Sequence, residues 1–274
     1  MTELLRPKRA GAQVAVLGIP LDHNSSFLRG PRKGPAAIRR ALLEGATNLT
    51  SESGLDLEVD PRWCDRGDVD CRGEAADMVR IEQAAAEAWK CGRLLALGGD
   101  HSVTAPVLRG RPRDGSRLTV LHFDAHPDLY PDYEGNRDSH ASPFHRVMEE
   151  GLAHRLVQVG IRTMNSVQSE AARRFGTETI SPDALAAWPG IAGPEPVYVS
   201  IDLDALDPAF APGVSHHEPG GLTVREVLGA LRKVRSPIVG ADIVELNPDR
   251  DPDGRTASVG AKFVKELLAR LLVG

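Results

Sequence analysis

Three stretches of this chain gather carboxylates and imidazoles where an apolar run gives out. Asp100 and His101 follow LLALGG, and Asp124, His126 and Asp128 follow LTVLHF. Asp202, Asp204 and Asp207 follow VYVSI, and a fourth run, IVGADIV, ends on Glu245. In extended backbone, residues i and i+2 share a face. Asp124 and His126 therefore point together, as do Asp202 and Asp204, and Asp128 joins the first pair where the strand frays into a loop.

Each stretch has an ordinary explanation when taken alone. GGDHS describes a tight turn in which Asp100 caps a following helix. DLDALDP describes a solvated acidic loop, although like charges on one face repel unless a cation offsets them. DAHPD is harder to dismiss, because polar groups buried at a strand end without partners cost several kcal/mol. Together the stretches are far more specific. His101, Asp124, His126, Asp128, Asp202 and Asp204 make a ligand set dominated by hard oxygen. Such a set suits Mn(II), admits Fe(II), Co(II) or Ni(II), and suits a structural zinc site poorly. Six ligands exceed what one ion with an open position needs. They fit two ions about 3.5–4 Å apart, which acidify a shared water and predict hydrolysis.

The elements that must position these residues are short apolar runs at residues 13–19, 93–100, 117–126, 155–161, 196–204 and 237–246. Continuous apolarity rather than alternation marks strands buried on both faces, as in a parallel sheet. Helical spacing is clearest over 74–91, 223–235 and the closing TASVGAKFVKELLARLL. Strand and helix in alternation predict a doubly wound, mainly parallel α/β sheet with helices on both faces, a three-layer α/β/α arrangement. The polar, Gly/Asp-rich stretch 46–73 reads as surface loop with little regular structure. The Pro/Gly-rich segments are too short to be linkers, so residues 1–274 read as a single domain.

Composition narrows the function further. A net charge of −5 with no basic stripe argues against nucleic acid as a partner. No apolar run approaches the roughly 20 residues that span a bilayer, so no membrane role is expected. The start of the chain lacks the apolar stretch of a signal peptide. Cys64, Cys71 and Cys91 are odd in number without CxxC spacing, which points to a reducing, cytoplasmic setting.

GGDHS, DAHPD, SIDLDALDPAFAPG and DIVELNP resemble, in order and spacing, the signature blocks of the ureohydrolase family of arginases and agmatinases. PLDHNSSFLRGPRKGPAAIR, YEGNRDSHASPFHRVMEEG and VSHHEPGGLT extend the likeness to the plant-type arginase branch and its bacterial relatives, over residues 14–272. The resemblance implies two Mn(II) per chain, with His101 and Asp128 on one ion and His126 and Asp204 on the other. Asp124 and Asp202 would bridge them. It further implies that a metal-bridging hydroxide attacks a guanidinium carbon and that the intermediate collapses to urea and an amine. Glu245 would grip the guanidinium, a task that a carboxylate performs well because it accepts two parallel hydrogen bonds. His140, in SHASPF, matches the family's loop histidine, which shuttles protons and contacts substrate, although Ala141 stands where most members have Gly. Asp128 is a second candidate for moving the proton. Family members assemble as trimers or hexamers, so a homo-oligomer is expected.

The substrate is then a small guanidino compound. The plant-type likeness favours L-arginine, giving ornithine; the alternatives are agmatine, giving putrescine, or another guanidino compound. Partners for the distal end of the substrate are expected from the loop Tyr130–Asn136, chiefly Asn136, and from Asn165. A zinc deacetylase-like amide hydrolase would leave His101 and Asp204 spare, and a non-catalytic metal-binding subunit would not need His140. His122 reads as a satisfied core histidine, whereas His216, His217 and Glu218 sit in a loop expected to rim the site.

Overall fold

The computed structural model describes residues 5–6 and 11–273. Eight strands form one sheet: β1 (Val14–Ile19), β2 (Trp63–Asp68), β3 (Arg93–Gly98), β4 (Thr119–Phe123), β5 (Arg155–Val159), β6 (Glu178–Ile180), β7 (Val197–Asp202) and β8 (Ile238–Val244). Their order is β2-β1-β3-β8-β7-β4-β5-β6, and every pairing is parallel. Seven α-helices accompany them: α1 (Gly34–Leu43), α2 (Asp77–Trp89), α3 (Thr104–Arg109), α4 (Pro143–Glu149), α5 (Ser166–Phe175), α6 (Val224–Arg232) and α7 (Arg255–Val273).

The strand pattern explains the three layers. Alternate residues of each strand enter different apolar cores, because successive side chains leave opposite faces of a sheet. Val14, Leu95, Leu121, Val199 and Ile243 pack with Ile38 of α1, Leu228 of α6 and Phe263 of α7. Ala15, Leu94, Val120 and Tyr198 pack with Ile81 of α2, Val107 of α3 and Phe144 of α4. With both faces covered, unbroken apolar runs become strands, as the sequence led us to expect.

The stretch 46–73 departs from expectation. It contains β2, in which Trp63 and Cys64 are buried against the sheet. The Asp65 carboxylate accepts from Arg39 Nε at 2.7 Å and Nη2 at 2.9 Å, and Arg39 Nη1 reaches Asp68 Oδ1 at 2.5 Å. A strand rich in charge reads as loop until the α1 arginine that neutralises it is known. The three-residue edge strand β6 was also not foreseen; it is largely exposed and has no apolar run to announce it.

The same alternation prepares the site. On the face where Tyr198 points, β7 continues with Ser200 and Asp202, and β4 presents His122 and then Asp124. Register places His122 beside both Ser200 and Gln158, and Ser200 beside Asp242. A buried polar row, Asp242–Ser200–His122–Gln158, thus crosses four strands just beneath the rung of Asp202 and Asp124. Ligands in open α/β sheets collect at these carboxyl ends.

Candidate active site

The turn after β3 is wedged between neighbouring strand ends. A Cβ on Gly99 would lie 1.7 Å from the Leu21 carbonyl oxygen, so only glycine fits. Asp100 then caps the next turn, accepting from Ser102 N, while its Oδ2 takes the Asn24 backbone N–H at 3.0 Å. It is a structural cap, pushed up to a pKa of about 6 by burial and by Glu245. Asp207 likewise accepts the backbone N–H groups of Ala209, Gly220 and Gly221 and only shapes its loop.

The fully buried His101 ring is fixed from behind. Its Nε2 lies 2.9 Å from Ser200 Oγ, which donates to Asp242 Oδ1 at 2.6 Å; Tyr198 and Thr104 donate to Asp242 Oδ2. With its hydroxyl proton committed to Asp242, Ser200 accepts from Nε2–H, leaving the lone pair on Nδ1. That Nδ1 has no well-formed hydrogen-bond partner although it is buried. Carboxylate oxygens of Asp128, Asp124 and Asp202 surround it at 3.1, 3.2 and 3.2 Å. A lone pair aimed among three carboxylates is an arrangement that could hold a cation. Burial lowers the His101 pKa, yet the three carboxylates hold it well above its ordinary value; burial and its anionic neighbours Asp204 and Asp124 push Asp202 well up.

The second cluster adjoins the first. His126 Nδ1 lies 3.0 Å from Asp204 Oδ2 and 3.3 Å from Asp124 Oδ1. Asp124 therefore turns one oxygen to each histidine, the posture of a bridging carboxylate. Asp202 turns Oδ2 to His101, while its Oδ1 accepts the Asp204 backbone N–H at 2.7 Å. His122 is buried with both ring nitrogens occupied, Nδ1 by Gln158 and Nε2 by Asp124, so it steadies the Asp124 carboxylate.

Both clusters open into a cleft of about 200 Å³. On its floor, Glu245 Oε1 accepts the His101 backbone N–H and His140 Nδ1–H, both at 2.9 Å. Its Oε2 is buried without a partner. Burial opposes the Glu245 charge, but His140 keeps the carboxyl below its ordinary value; burial also opposes the His140 charge, yet Glu245 raises that pKa to about 9. Asp128 and Glu245 have φ of 51° and 64°, two of the three non-glycine residues in the left-handed region among the described residues. Such backbone costs on the order of 1–3 kcal/mol and persists where surrounding contacts hold it.

Residues 12–269 match the sequence model of the arginase family. The chain belongs to that family. It is a hydrolase of guanidino C–N bonds. It is 48% identical to a protein named mitochondrial arginase 1 of Arabidopsis thaliana, over 96% of this chain and 82% of that one. It is 37% identical to an agmatinase of Photorhabdus laumondii, over 96% and 88%. Among solved structures, an arginase from Medicago truncatula superimposes with a TM-score of 0.88 at 44% identity, covering 95% of this chain and 88% of that one. The arginase-family assignment accords with the plant-type likeness of the motifs.

From the loop Tyr130–Asn136, Tyr130 and Tyr133 line the cleft, as does His216, whereas His217 is exposed and bonds to the Pro212 carbonyl. Ser26 and Gln168 line it as well, and sequence reasoning named neither. Asn165 lines the cleft and donates to Tyr130 OH at 2.7 Å. Asn136 does not line it. Its amide bonds within the loops, donating to Asn24 Oδ1 and accepting from Asp138 N. Only the tertiary approach of the two loops reveals this. Glu218 lies at the rim, 3.9 Å from His126 Nε2. No helix among the described residues is long and apolar enough to cross a membrane.

Proposed function

We propose that this chain hydrolyses L-arginine to ornithine and urea using two Mn(II) ions. His101 and Asp128 would hold one ion and His126 and Asp204 the other, with Asp124 and Asp202 shared. The donor set fits that role, since His101 Nδ1 is an orphaned buried lone pair among carboxylates. When bound, the ions lower the pKa of a shared water and supply hydroxide near neutral pH.

The observation that carries the reading is Glu245 Oε2, a buried carboxylate oxygen without a partner on the cleft floor. An ionised carboxylate left so is costly unless a cation completes it. A planar guanidinium does so with two parallel N–H donors. His140, 2.9 Å from the same carboxylate, would protonate the departing amine. Asp128 is the other candidate for carrying that proton. Both His101 and Asp204 belong to the clusters, so the one-metal deacetylase reading loses its support.

Arginine is favoured because several plant relatives named arginase are 44–48% identical to this chain. Agmatine stands as the second reading, favoured by the agmatinase relative and by a cleft lining without Lys or Arg. An α-carboxylate would then rest on neutral donors, with Tyr130 and Asn165 at hand. With Mn(II) added, urea release from arginine should greatly exceed that from agmatine, and the reverse ratio would exchange the two readings. The proposal includes a cytoplasmic setting, supported by three cysteines outside any disulfide. On the family's pattern it also includes assembly of identical chains into a trimer or hexamer.

A further inference from the structure

We infer that Ser26 is a positioning residue that acts through His140, orienting its imidazole and relaying protons between its Nε2 and solvent. The inference rests on the proposed role of His140 and goes beyond it. His140 is buried, and its Nδ1 is committed to Glu245. Its other nitrogen meets one residue twice: Ser26 Oγ at 2.8 Å and the Ser26 backbone N at 3.2 Å. Ser26 itself is exposed and lines the cleft. It thus stands between a buried acid–base group and water.

The two contacts favour different protonation states. A backbone N–H only donates, so it stabilises the ring with a lone pair on Nε2. The hydroxyl works in both states, donating to the neutral ring and accepting from Nε2–H once the ring is charged. Around the ring, Glu245, Asp100 and Asp128 favour the charged form, while His216, with centroids 5.3 Å away, packs alongside. Ser26 N–H pulls the other way, which keeps the ring able to both gain and lose a proton. In the relay, Ser26 Oγ takes a proton from a solvent water as its own proton passes to Nε2, leaving hydroxide that solvent neutralises. The imidazolium then gives one proton to the departing amine.

The loop is built to hold that position. Asp100 Oδ2 accepts from Asn24 N and Ser25 Oγ, and Asn24 Nδ2 donates to Ser102 Oγ at 3.1 Å. In return the Asn24 carbonyl accepts the His140 backbone N–H at 3.2 Å. The segment carrying Ser26 is therefore tied both to the turn bearing His101 and to the backbone of His140.

Ser26→Ala keeps the backbone N–H and removes only the hydroxyl, and Ser26→Thr restores it. In the Mn(II)-loaded enzyme, Ser26→Ala should lower kcat about tenfold, a fraction of what general acid catalysis supplies, with KM within about twofold. Because the charged ring loses its acceptor, the descending high-pH limb of kcat should move to lower pH, and Thr should restore both. An unchanged kcat and limb in the Ala variant, or a Thr variant as impaired as Ala, overturns the inference. NMR titration of His140 with diamagnetic zinc bound gives an activity-independent arm. There the Ala variant should titrate at lower pH than wild type, and identical midpoints overturn the inference. If the wild type releases no urea from any guanidino compound, the proposed function fails while the NMR comparison still decides Ser26.

Discussion

Replacing Glu245 by Gln isolates the charge on the cleft floor from everything else that the residue does. The side-chain oxygen that accepts from His101 N–H and His140 Nδ1–H remains, because Gln offers one carbonyl oxygen in the place of Oε1. An NH2 group replaces the unpartnered Oε2 and points donors where a guanidinium presents its own. The charge-assisted bond to Oε2 contributes roughly 1.5–3 kcal/mol and leaving its buried donors unpaired costs a further ~1–3, about 3–6 kcal/mol together. At 1.4 kcal/mol per factor of ten, kcat/KM for urea release should fall about 10²–10⁴-fold. Bound metal, counted by elemental analysis, should not change, since Glu245 contacts neither His101 Nδ1 nor His126 Nδ1. The melting temperature should fall, because the substitution leaves His140 without the carboxylate that it pairs with in the buried floor. A loss below about tenfold, or loss of metal with the activity, would refute the assignment of Glu245 to the guanidinium.

The remaining predictions address the metals, the edge strand and acid stability. His126→Ala removes the nitrogen facing Asp204 and Asp124, so metal content should fall towards one ion per chain; an unchanged count would refute a two-metal centre. Arg39→Met leaves Asp65 buried without its partner and should cost about 3–5 kcal/mol in denaturant unfolding. Because Arg39 lies beneath β2, away from the cleft, KM should stay as in the wild type. Glu52 bonds first to Arg225 and then to Lys262, which lower its pKa from 4.5 to about 2. A depressed carboxylate stabilises the fold above its unfolded pKa and loses that contribution as pH falls through the folded one. Glu52→Gln should therefore lower the melting temperature at pH 6, with the difference closing between pH 4.5 and 2. A constant difference across that window would contradict the assignment.

The strand ends that bring these His and Asp side chains together were legible because they unite two local signals, an apolar run and polar residues spaced two apart. His101, His126 and the four aspartates needed no knowledge of the rest of the chain. What a residue does when its partner comes from afar was not legible. Asn136 looks available in sequence but is consumed by Asn24, and β2 looks like loop until Arg39 reaches Asp65. Ser26 lies in a stretch that resembles the family, but its own part was not legible, since that arises only where its loop meets His140. The buried row of Asp242, Ser200, His122 and Gln158 was hidden for a related reason. Each member is one polar residue within an apolar strand, and only register aligns them.

The strand order has a consequence for when the centre comes into being. His101 follows β3 and His126 follows β4, yet these strands are not neighbours; β8 and β7, made much later in the chain, lie between them. The two halves of the ligand set take their final spacing only after the C-terminal strands have been inserted. Glu245, 144 residues beyond His101, completes the floor by accepting that histidine's backbone N–H. Metal affinity is therefore a property of the finished sheet rather than of any segment. An ion that binds only the native form adds RT ln(1 + [L]/Kd) to its stability. Should a metal bind there, its retention would report that the last strands have found their places.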